Sequence, residues 1–412
     1  MLIKLFVVVM YLLSKVFDTI IDCLRDAAAK RELPGCVRDV YDEKEYRRWL
    51  AYHTDKRRLK KWASVTSTVI TVVLLLTNVY AAVFRVLPGG TVVRYLLFSL
   101  IFEAFSAAVE APFDFYATFT VEERYGMNKS TRKTFIGDTV KEFILNYVIA
   151  ALIMFLVLFA FEKFGNFGIL IACGGVSALL IVVQLCSGLL LRLFNKFTPL
   201  EEGKLRDSLT ELCAKYGTTV KEINVMDMSR RTTKANAFCS GLGKTKMIAL
   251  ADNLVERYTE DQIVGVFAHE FGHAKYKHMP KLVIGNIISL CTTIVLFGVL
   301  LNFPQLFTCF GFDDINYYFL FTIALITWPV NTLVSIVDNC FSRKYEYQAD
   351  SMAAKEGYGE DIISALKQLS KESLSDLNPH PAVVVLEYSH PTLAQRIEAI
   401  RSISGEKAAK KR

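Results

Sequence analysis

The sequence predicts a mainly α-helical membrane protein with seven transmembrane helices and a smaller extramembrane part that carries a small β-sheet. The 412 residues are 52% hydrophobic and have a mean hydropathy of +0.32, which is too apolar for an ordinary soluble protein. Seven apolar runs are each long enough to cross a bilayer as a helix. They lie at residues 1–22, 63–86, 92–118, 143–162, 166–194, 281–303 and 317–340.

The first apolar run has the position of a signal peptide. It lacks a clear small-residue cleavage site, and Lys15 and Asp18 interrupt its end. We therefore interpret this run as a retained membrane helix.

The basic residues predict the orientation of the chain in the membrane. Residues 23–61, residues 119–142, the stretch between the fifth and sixth runs and the C-terminal tail are rich in Lys and Arg, whereas Asp313 and Asp314 make the last connection acidic. Because cytosolic loops carry an excess of Lys and Arg, the N-terminus is expected outside the cytosol and the C-terminus inside. The net charge of +7 is thus a topological signal, and no basic patch interleaved with aromatic residues predicts nucleic-acid binding.

The stretch from His269 to His273 reads H-E-F-G-H and is the strongest indication of chemistry. Two histidines four residues apart lie on one face of a helix, so both imidazoles can reach one tetrahedral Zn²⁺. Glu270 is placed to take a proton from a water that the metal activates. The pattern is the H-E-x-x-H signature of zinc hydrolases, most often peptidases.

The surrounding residues support a helix at this motif. Thr259 and Gln262 have the spacing of a capping box, and Ile263, Val264 and the following apolar residues form one helical face. Gly272 lacks a side chain at a point where a neighbouring helix could approach closely.

The motif and the apolar runs divide the chain into four parts. Residues 1–194 hold the first five spans with basic cytosolic loops, and residues 195–280 form a cytosolic catalytic part. Residues 281–340 hold the last two spans, and residues 341–412 complete the catalytic part with a basic tail. Within the second part the pattern predicts an amphipathic helix and then β-type runs, at Leu200–Tyr216, Ile223–Met226, Ala237–Cys239 and Met247–Ala251.

A catalytic zinc site needs a third protein ligand. Glu346 and Asp350 are spaced i, i+4 on a helical stretch, so Glu346 could bind the metal while Asp350 orients a zinc histidine. The alternative is an ordinary surface glutamate beside Arg and Lys neighbours. Spacing alone leaves both alternatives open.

Glu103 and Glu110 lie seven residues apart within the third apolar run, hence on one helical face. A carboxylate in lipid is costly and usually faces protein or water. The pair either lines an aqueous cavity or consists of structural carboxylates. We interpret three other histidines, His53, His278 and His380, as solvated or structural.

Several segments together resemble the zinc-dependent CAAX prenyl protease family. H-E-F-G-H is followed by two apolar runs and then E-Y-Q-A-D. The other similar segments are E-E-R-Y-G-M-N at 122–128, Asn236-Ala237-Phe238, and Y-S-H-P-T-L-A-Q-R at 388–396. Met127 stands where the family usually has Phe. The similarity runs from the third span almost to the C-terminus, and the first sixty residues match only loosely.

The resemblance implies one Zn²⁺ per chain, bound by His269, His273 and Glu346, with Glu270 as general base. Asp350 would orient a ligand or handle protons.

The resemblance also implies that His390 and Arg396 lie beside the scissile carbonyl or brace the metal ligands. Asn236, Ala237 and Phe238 would belong to a strand edge that binds substrate.

The family fold is a ring of seven helices around a water-filled chamber, with a zincin-like metalloprotease site on the cytosolic side. Its members act in the endoplasmic reticulum membrane and remove the last three residues of prenylated CAAX proteins. The partners expected here are therefore such proteins or peptides and the lipid bilayer.

Two other functions compete with this one. Membrane quality-control zinc proteases of broad specificity share H-E-x-x-H and E-x-x-x-D but have fewer spans. The second competing function is that of a metal transporter or an inactive metal-binding scaffold. A transporter would place its ligands inside spans near the midplane, whereas here they flank spans beside a predicted sheet.

Overall fold

The computed structural model describes residues 1–410 except Lys30, residues 217–222, residues 241–246, Tyr317, Tyr318, Phe321 and Ile323. Helices make up most of the described chain. They are α1 Leu2–Ala28, α2 Glu43–Leu76, α3 Val79–Val86, α4 Thr91–Tyr116, α5 Arg132–Phe164, α6 Gly168–Leu185, α7 Ser187–Phe194, α8 Lys204–Lys215, α9 Asp252–Arg257, α10 Glu260–Lys275, α11 His278–Leu300, α12 Gln305–Thr308, α13 Trp328–Glu356, α14 Gly359–Glu372, α15 Pro381–Glu387 and α16 Leu393–Lys410.

Five of the described helices are long and apolar enough to cross a membrane: α2, α4 with its π-helical extension to Glu122, α5, α6 and α11. Their outer faces carry exposed apolar side chains. On α5 the exposed residues Ile136, Val140, Ile144 and Val148 follow one another at intervals of four, so they form one continuous face. Such a face suits contact with lipid, and the chain is a multi-pass membrane protein.

The prediction of seven spans is not confirmed. The first run lies in α1 and the second half of the seventh run lies in α13, but neither helix is among the five that are apolar enough to span. Charged and polar residues interrupt the apolar sequence of both helices: Lys4, Lys15 and Asp18 in α1, and Asn331 and Asp338 in α13. The polar side chains lower the hydropathy of both helices.

Helix α2 joins the membrane part to the extramembrane part. It has 34 residues, about 51 Å at the helical rise, against a hydrocarbon core of about 30 Å. Asp42 and Glu45 form a capping box at its start, and Trp49 and Tyr52 are buried in the extramembrane core. Much of the basic stretch 23–61 is therefore the first half of this long helix.

A four-stranded sheet forms one side of the extramembrane part, with β1 Phe197–Pro199, β2 Ile223–Met226, β3 Ala237–Ser240 and β4 Met247–Ala251. The order is β1-β2-β4-β3. β2 and β4 are parallel, and the two outer pairs are antiparallel. The last three strands were predicted, whereas β1 is too short for its pattern to be detected. β3 is an edge strand of this sheet.

The extramembrane core surrounds α10. This helix packs against α8, β3, α13 and α14, and almost every residue from Gln262 to Gly272 is buried. Leu209, Leu250 and Ile397 bring the buried side chains of α8, the sheet and α16 to the same cluster. A helix enclosed on this many sides holds its side chains in fixed positions.

Three neighbouring cavities of about 690, 590 and 150 Å³ lie along α1, α2, α4 and α13. Lys15 and Asp18 line the first two, and Glu110 lines the last two. Glu103 and Glu110 line the smallest cavity together. Of the two alternatives for this pair, the structure favours carboxylates that line a polar cavity.

Candidate metal centre

The predicted capping box fixes the start of α10. Thr259 Oγ1 accepts a hydrogen bond from the Gln262 amide at 3.3 Å, and Gln262 Oε1 accepts one from the Thr259 amide at 2.9 Å. The helix then runs without interruption to Lys275. His269 and His273 consequently lie one turn apart on one helical face, as predicted.

Gly272 sets how closely α10 and α13 approach. A Cβ at this position would lie 3.0 Å from Ala349 Cα and 3.2 Å from Met352 Cβ. Any larger residue would push the two helices apart, so the predicted close approach is confirmed. It brings Glu346 and Asp350 of α13 against the histidines of α10.

His269, His273 and Glu346 form a compact set of groups that could bind a metal ion. His273 Nε2 lies 3.2 Å from His269 Nε2 and 3.3 Å from Glu346 Oε1, and His269 Nε2 lies 3.6 Å from Glu346 Oε2. Bonds of about 2.0–2.2 Å to a tetrahedral Zn²⁺ separate its ligand atoms by roughly 3.3–3.6 Å. The spacing of this set therefore fits zinc.

Glu346 gives a second indication of a bound cation. Its Oε2 atom is buried and accepts no hydrogen bond from any residue that the structure describes. Nη1 of the Arg396 guanidinium lies 3.7 Å from this oxygen, beyond hydrogen-bond distance. A buried carboxylate oxygen that accepts no hydrogen bond is costly, and a metal ion would supply a closer partner. The alternative of an ordinary surface glutamate does not agree with this burial.

Asp350 forms a hydrogen bond with His269, the first histidine of the motif. His269 Nδ1 donates to Asp350 Oδ1 at 2.9 Å, and Arg396 donates to both carboxylate oxygens, from Nε at 2.9 Å and from Nη2 at 2.7 Å. Burial acts to raise the pKa of Asp350, but the Arg396 guanidinium and the His269 hydrogen bond hold that pKa well below its usual range. Asp350 is therefore ionised and fixes the orientation of His269.

The same charges act on Glu346. Burial acts to raise its pKa, whereas the hydrogen bond with His273 and the charges of His269 and Arg396 lower it to about 2. The third candidate ligand is thus an anion at neutral pH, the form that binds a metal.

The remaining candidate catalytic residues lie on different sides of this set. Glu270 follows His269 and is half-buried. His390 Nε2 lies 3.5 Å from Glu346 Oε1 and its side chain is 64% exposed, whereas Arg396 is 11% exposed. His390 is therefore on the solvent side of the site and Arg396 is behind the ligands.

The predicted substrate segment also lies beside α10. Asn236 is exposed and Ala237 is buried, and β3, which begins at Ala237, packs against α10. The side chain of Phe238, the third residue of this segment, lies outside the part that the structure describes.

Sequence reasoning missed the position of His278. This side chain has no exposed surface, and its Nδ1 lies 3.1 Å from Nδ1 of His273. Of the two interpretations of His278, solvated or structural, only the structural one agrees with this position. The detectable signal was a third histidine five residues after the motif. His53 contacts the Leu374 carbonyl and His380 caps α15, so both are structural.

Comparisons with known proteins cover nearly the whole chain. The family model described as CAAX prenyl protease N-terminal, five membrane helices, matches residues 24–196. The model of peptidase family M48 matches residues 199–404. The boundary between the two matches lies at β1.

Curated relatives and a solved structure agree with these matches. Probable CAAX prenyl protease 1 of Schizosaccharomyces pombe is 31% identical over 89% of this chain and 81% of its own length. CAAX prenyl protease 1 homolog of Arabidopsis thaliana is 32% identical over 96% of both chains. The crystal structure of S. mikatae Ste24p superposes with a TM-score of 0.90 at 27% identity, covering 97% of this chain and 99% of that one.

Proposed function

We propose that this chain, which belongs to the CAAX prenyl protease 1 family of M48 metallopeptidases, removes the C-terminal tripeptide of prenylated CAAX proteins at a zinc centre. Because it belongs to this family, the protein is a membrane metalloprotease of the CAAX prenyl protease type. One observation carries the rest of the proposal: His269, His273 and Glu346 meet at the spacing that zinc requires, beside an edge strand and above membrane helices.

Each group has a proposed role in hydrolysis. His269, His273 and Glu346 would hold the zinc ion, which would act as a Lewis acid toward a bound water and the substrate carbonyl. The Glu270 carboxylate accepts the proton of that water and passes it to the nitrogen of the leaving amine. Asp350 and Arg396 keep His269 oriented. His390, on the solvent side, donates a hydrogen bond to the carbonyl oxygen as negative charge develops there.

The peptide is proposed to bind as an added strand at the free edge of β3. Main-chain hydrogen bonds supply affinity in this mode and are tolerant of sequence. Asn236, Ala237 and Phe238 would line that edge. This mode allows one enzyme to accept many C-terminal tripeptides.

The three neighbouring cavities support the proposal of a chamber enclosed by seven helices. α1 exposes Leu5, Val9 and Val16, and α13 exposes Leu333 and Val337, so both helices present apolar faces of the kind that contact lipid. We therefore infer that α1 and α13 are the remaining two spans and that their polar faces line the cavities. The prenyl chain would bind inside this ring.

The proposed function is tested with purified protein and a farnesylated CAAX peptide. We expect release of the intact C-terminal tripeptide, complete loss of release after treatment with a chelator, and recovery on addition of Zn²⁺. Cleavage that persists without metal would refute the zinc mechanism. Degradation of unfolded proteins without preference for the farnesylated peptide would favour the quality-control protease instead.

Substitution of two α13 carboxylates should separate metal binding from orientation. Glu346→Ala removes a metal bond, so we expect purified protein with little zinc. Asp350→Asn leaves all three ligands, so we expect zinc to be retained and activity to fall about 10–100-fold. Its melting temperature should also fall because Arg396 loses an anionic partner. Metal analysis of both proteins decides the matter, and full zinc occupancy in Glu346→Ala would refute the third ligand.

We infer that the protein resides in the endoplasmic reticulum membrane with the metal site and the C-terminus in the cytosol. The Lys and Arg asymmetry supports this orientation. In sealed microsomes, Asp314→Cys should be protected from an impermeant thiol reagent, and the matched variant Glu202→Cys should react. The unsubstituted chain gives the background from native cysteines. Labelling of Asp314→Cys without permeabilisation would overturn the orientation.

A further inference from the structure

We propose that His278 is a positioning residue of the metal centre, which selects the nitrogen that His273 presents to the metal through a hydrogen-bond relay ending at Gln348. The proposal presupposes the zinc site described above. It assigns a function to a buried histidine that belongs neither to the H-E-x-x-H motif nor to the ligand set.

His278 is held on all sides. It has no exposed surface, its Nδ1 lies 3.1 Å from His273 Nδ1, and its Nε2 lies 2.9 Å from Gln348 Oε1. The ring stacks on Tyr345 with centroids 4.6 Å apart and an interplanar angle of 16°. Both nitrogens therefore have one defined partner each, and the ring has little freedom to rotate.

With a metal bound at the site, the hydrogen bonds of the relay have only one consistent direction. His273 Nε2 faces His269 Nε2 at 3.2 Å and Glu346 Oε1 at 3.3 Å, so this nitrogen must be free of hydrogen to bind a metal. The proton of a neutral imidazole then resides on Nδ1. His273 Nδ1 therefore donates to Nδ1 of His278.

The relay continues from His278 to α13. Because Nδ1 of His278 accepts, its own proton resides on Nε2, which donates to the Gln348 carbonyl oxygen. The opposite tautomer of His278 would direct an N–H at His273 Nδ1 and force the proton of His273 onto Nε2, the metal-facing atom. The Gln348 amide oxygen thus selects the tautomer that can bind metal.

Helix α13 supports both histidines in parallel. Asp350 accepts directly from Nδ1 of His269, and Gln348 accepts indirectly from Nδ1 of His273. Glu346, on the same helix, approaches the metal face of both rings. Outer partners of this kind fix the orientation of a ligand and affect metal affinity. The neutral relay does so for His273 without adding a second negative charge.

The backbone provides the turn that this contact requires. Lys277, between α10 and α11, adopts a left-handed conformation with φ 55° and ψ 43°, which is unusual for a residue with a side chain. The turn reverses His278, the first residue of α11, toward His273. Because α11 is one of the five apolar helices, the relay also connects a membrane helix to a metal ligand.

His278 is not a fourth ligand. Its nearest contact with the ligand set is to Nδ1 of His273, the nitrogen opposite the one that faces the other ligands. Both of its own nitrogens are occupied within the relay. The position supports a ligand rather than the metal.

The test compares His278→Phe, His278→Asn and His380→Asn in the purified full-length protein. Phe keeps a ring on Tyr345 but removes both relay bonds. Asn restores an acceptor near the former Nδ1. His380→Asn repeats the substitution outside the site, where Asn is a favoured N-cap. The measurements are zinc affinity by competition with a chromophoric chelator, the visible spectrum of the Co²⁺-loaded protein, and the melting temperature of the metal-free protein.

We expect His278→Phe to lower zinc affinity about 10–100-fold and to alter the Co²⁺ spectrum. His278→Asn should recover most of both, and His380→Asn should match the unsubstituted protein. Gln348→Met, which removes only the end of the relay, should show a smaller loss and keeps the test decisive if His278→Phe does not fold. Unchanged affinity and spectrum in His278→Phe, or in Gln348→Met if only that variant folds, would overturn the proposal. No substrate is used, so failure of the unsubstituted protein to bind zinc would instead refute the site itself.

Discussion

Glu270→Gln is expected to retain the fold and the zinc and to lose peptide cleavage by about 10²–10⁴-fold or more. The amide has the shape of the carboxylate but cannot accept the proton of the attacking water. The three ligand groups, His269, His273 and Glu346, are untouched by the change. Rates of release of the tripeptide from a farnesylated peptide, measured at equal zinc content, give the effect.

A matched substitution on the same helix serves as control. Glu260 lies in the first turn of α10, and its contact with Lys204 is at the exposed surface. Glu260→Gln should therefore have normal zinc content and normal activity. Near-normal cleavage by Glu270→Gln would show that this carboxylate is not the general base.

A peptide without its prenyl group is expected to be a far poorer substrate, with a much higher KM or no measurable turnover. Each CH₂-sized group moved out of water contributes about 0.8 kcal/mol, so a farnesyl chain can dominate binding. The main-chain contacts proposed for the β3 edge are the same in both peptides. The ratio of kcat/KM for the prenylated and bare peptides measures the contribution of the lipid.

A peptide that carries a straight alkyl chain of equal carbon number on the same cysteine is the control. If the helices bind the chain through apolar contacts alone, this peptide should recover much of the lost kcat/KM. Equal values for the prenylated and bare peptides would mean that the lipid is not recognised. The quality-control protease would then be the better assignment.

Local signals in the sequence were sufficient for the elements that depend on short-range interactions. The Thr259 and Gln262 spacing predicted the start of α10 because a capping box involves only four consecutive residues. The i, i+4 histidines predicted a shared face for the same reason. The runs at Ile223–Met226 and Met247–Ala251 correspond to strands, and each was detectable because its mostly apolar residues are consecutive in the chain.

The span count depended on more than hydropathy. The mean hydropathy of a sequence window depends on the composition of a helix and does not indicate which side of the helix faces lipid. α1 and α13 are mixed because one side exposes residues such as Val9 and Leu333, whereas the other lines cavities with Lys15 and Asn331. Only the packing of the helices against one another separates these two faces.

The sequence by itself determined the membrane class, the helix that carries H-E-F-G-H and the identity of two candidate metal ligands, because each depends on residues close in the chain. Only the tertiary structure brought a third candidate ligand to these two, since the spacing of Glu346 and Asp350 does not indicate which helix they contact. The crossing of α10 and α13 at Gly272 settles that contact. On a continuous helix His278 would lie about 140° around the axis from His273, and the left-handed turn at Lys277 brings the two rings together instead.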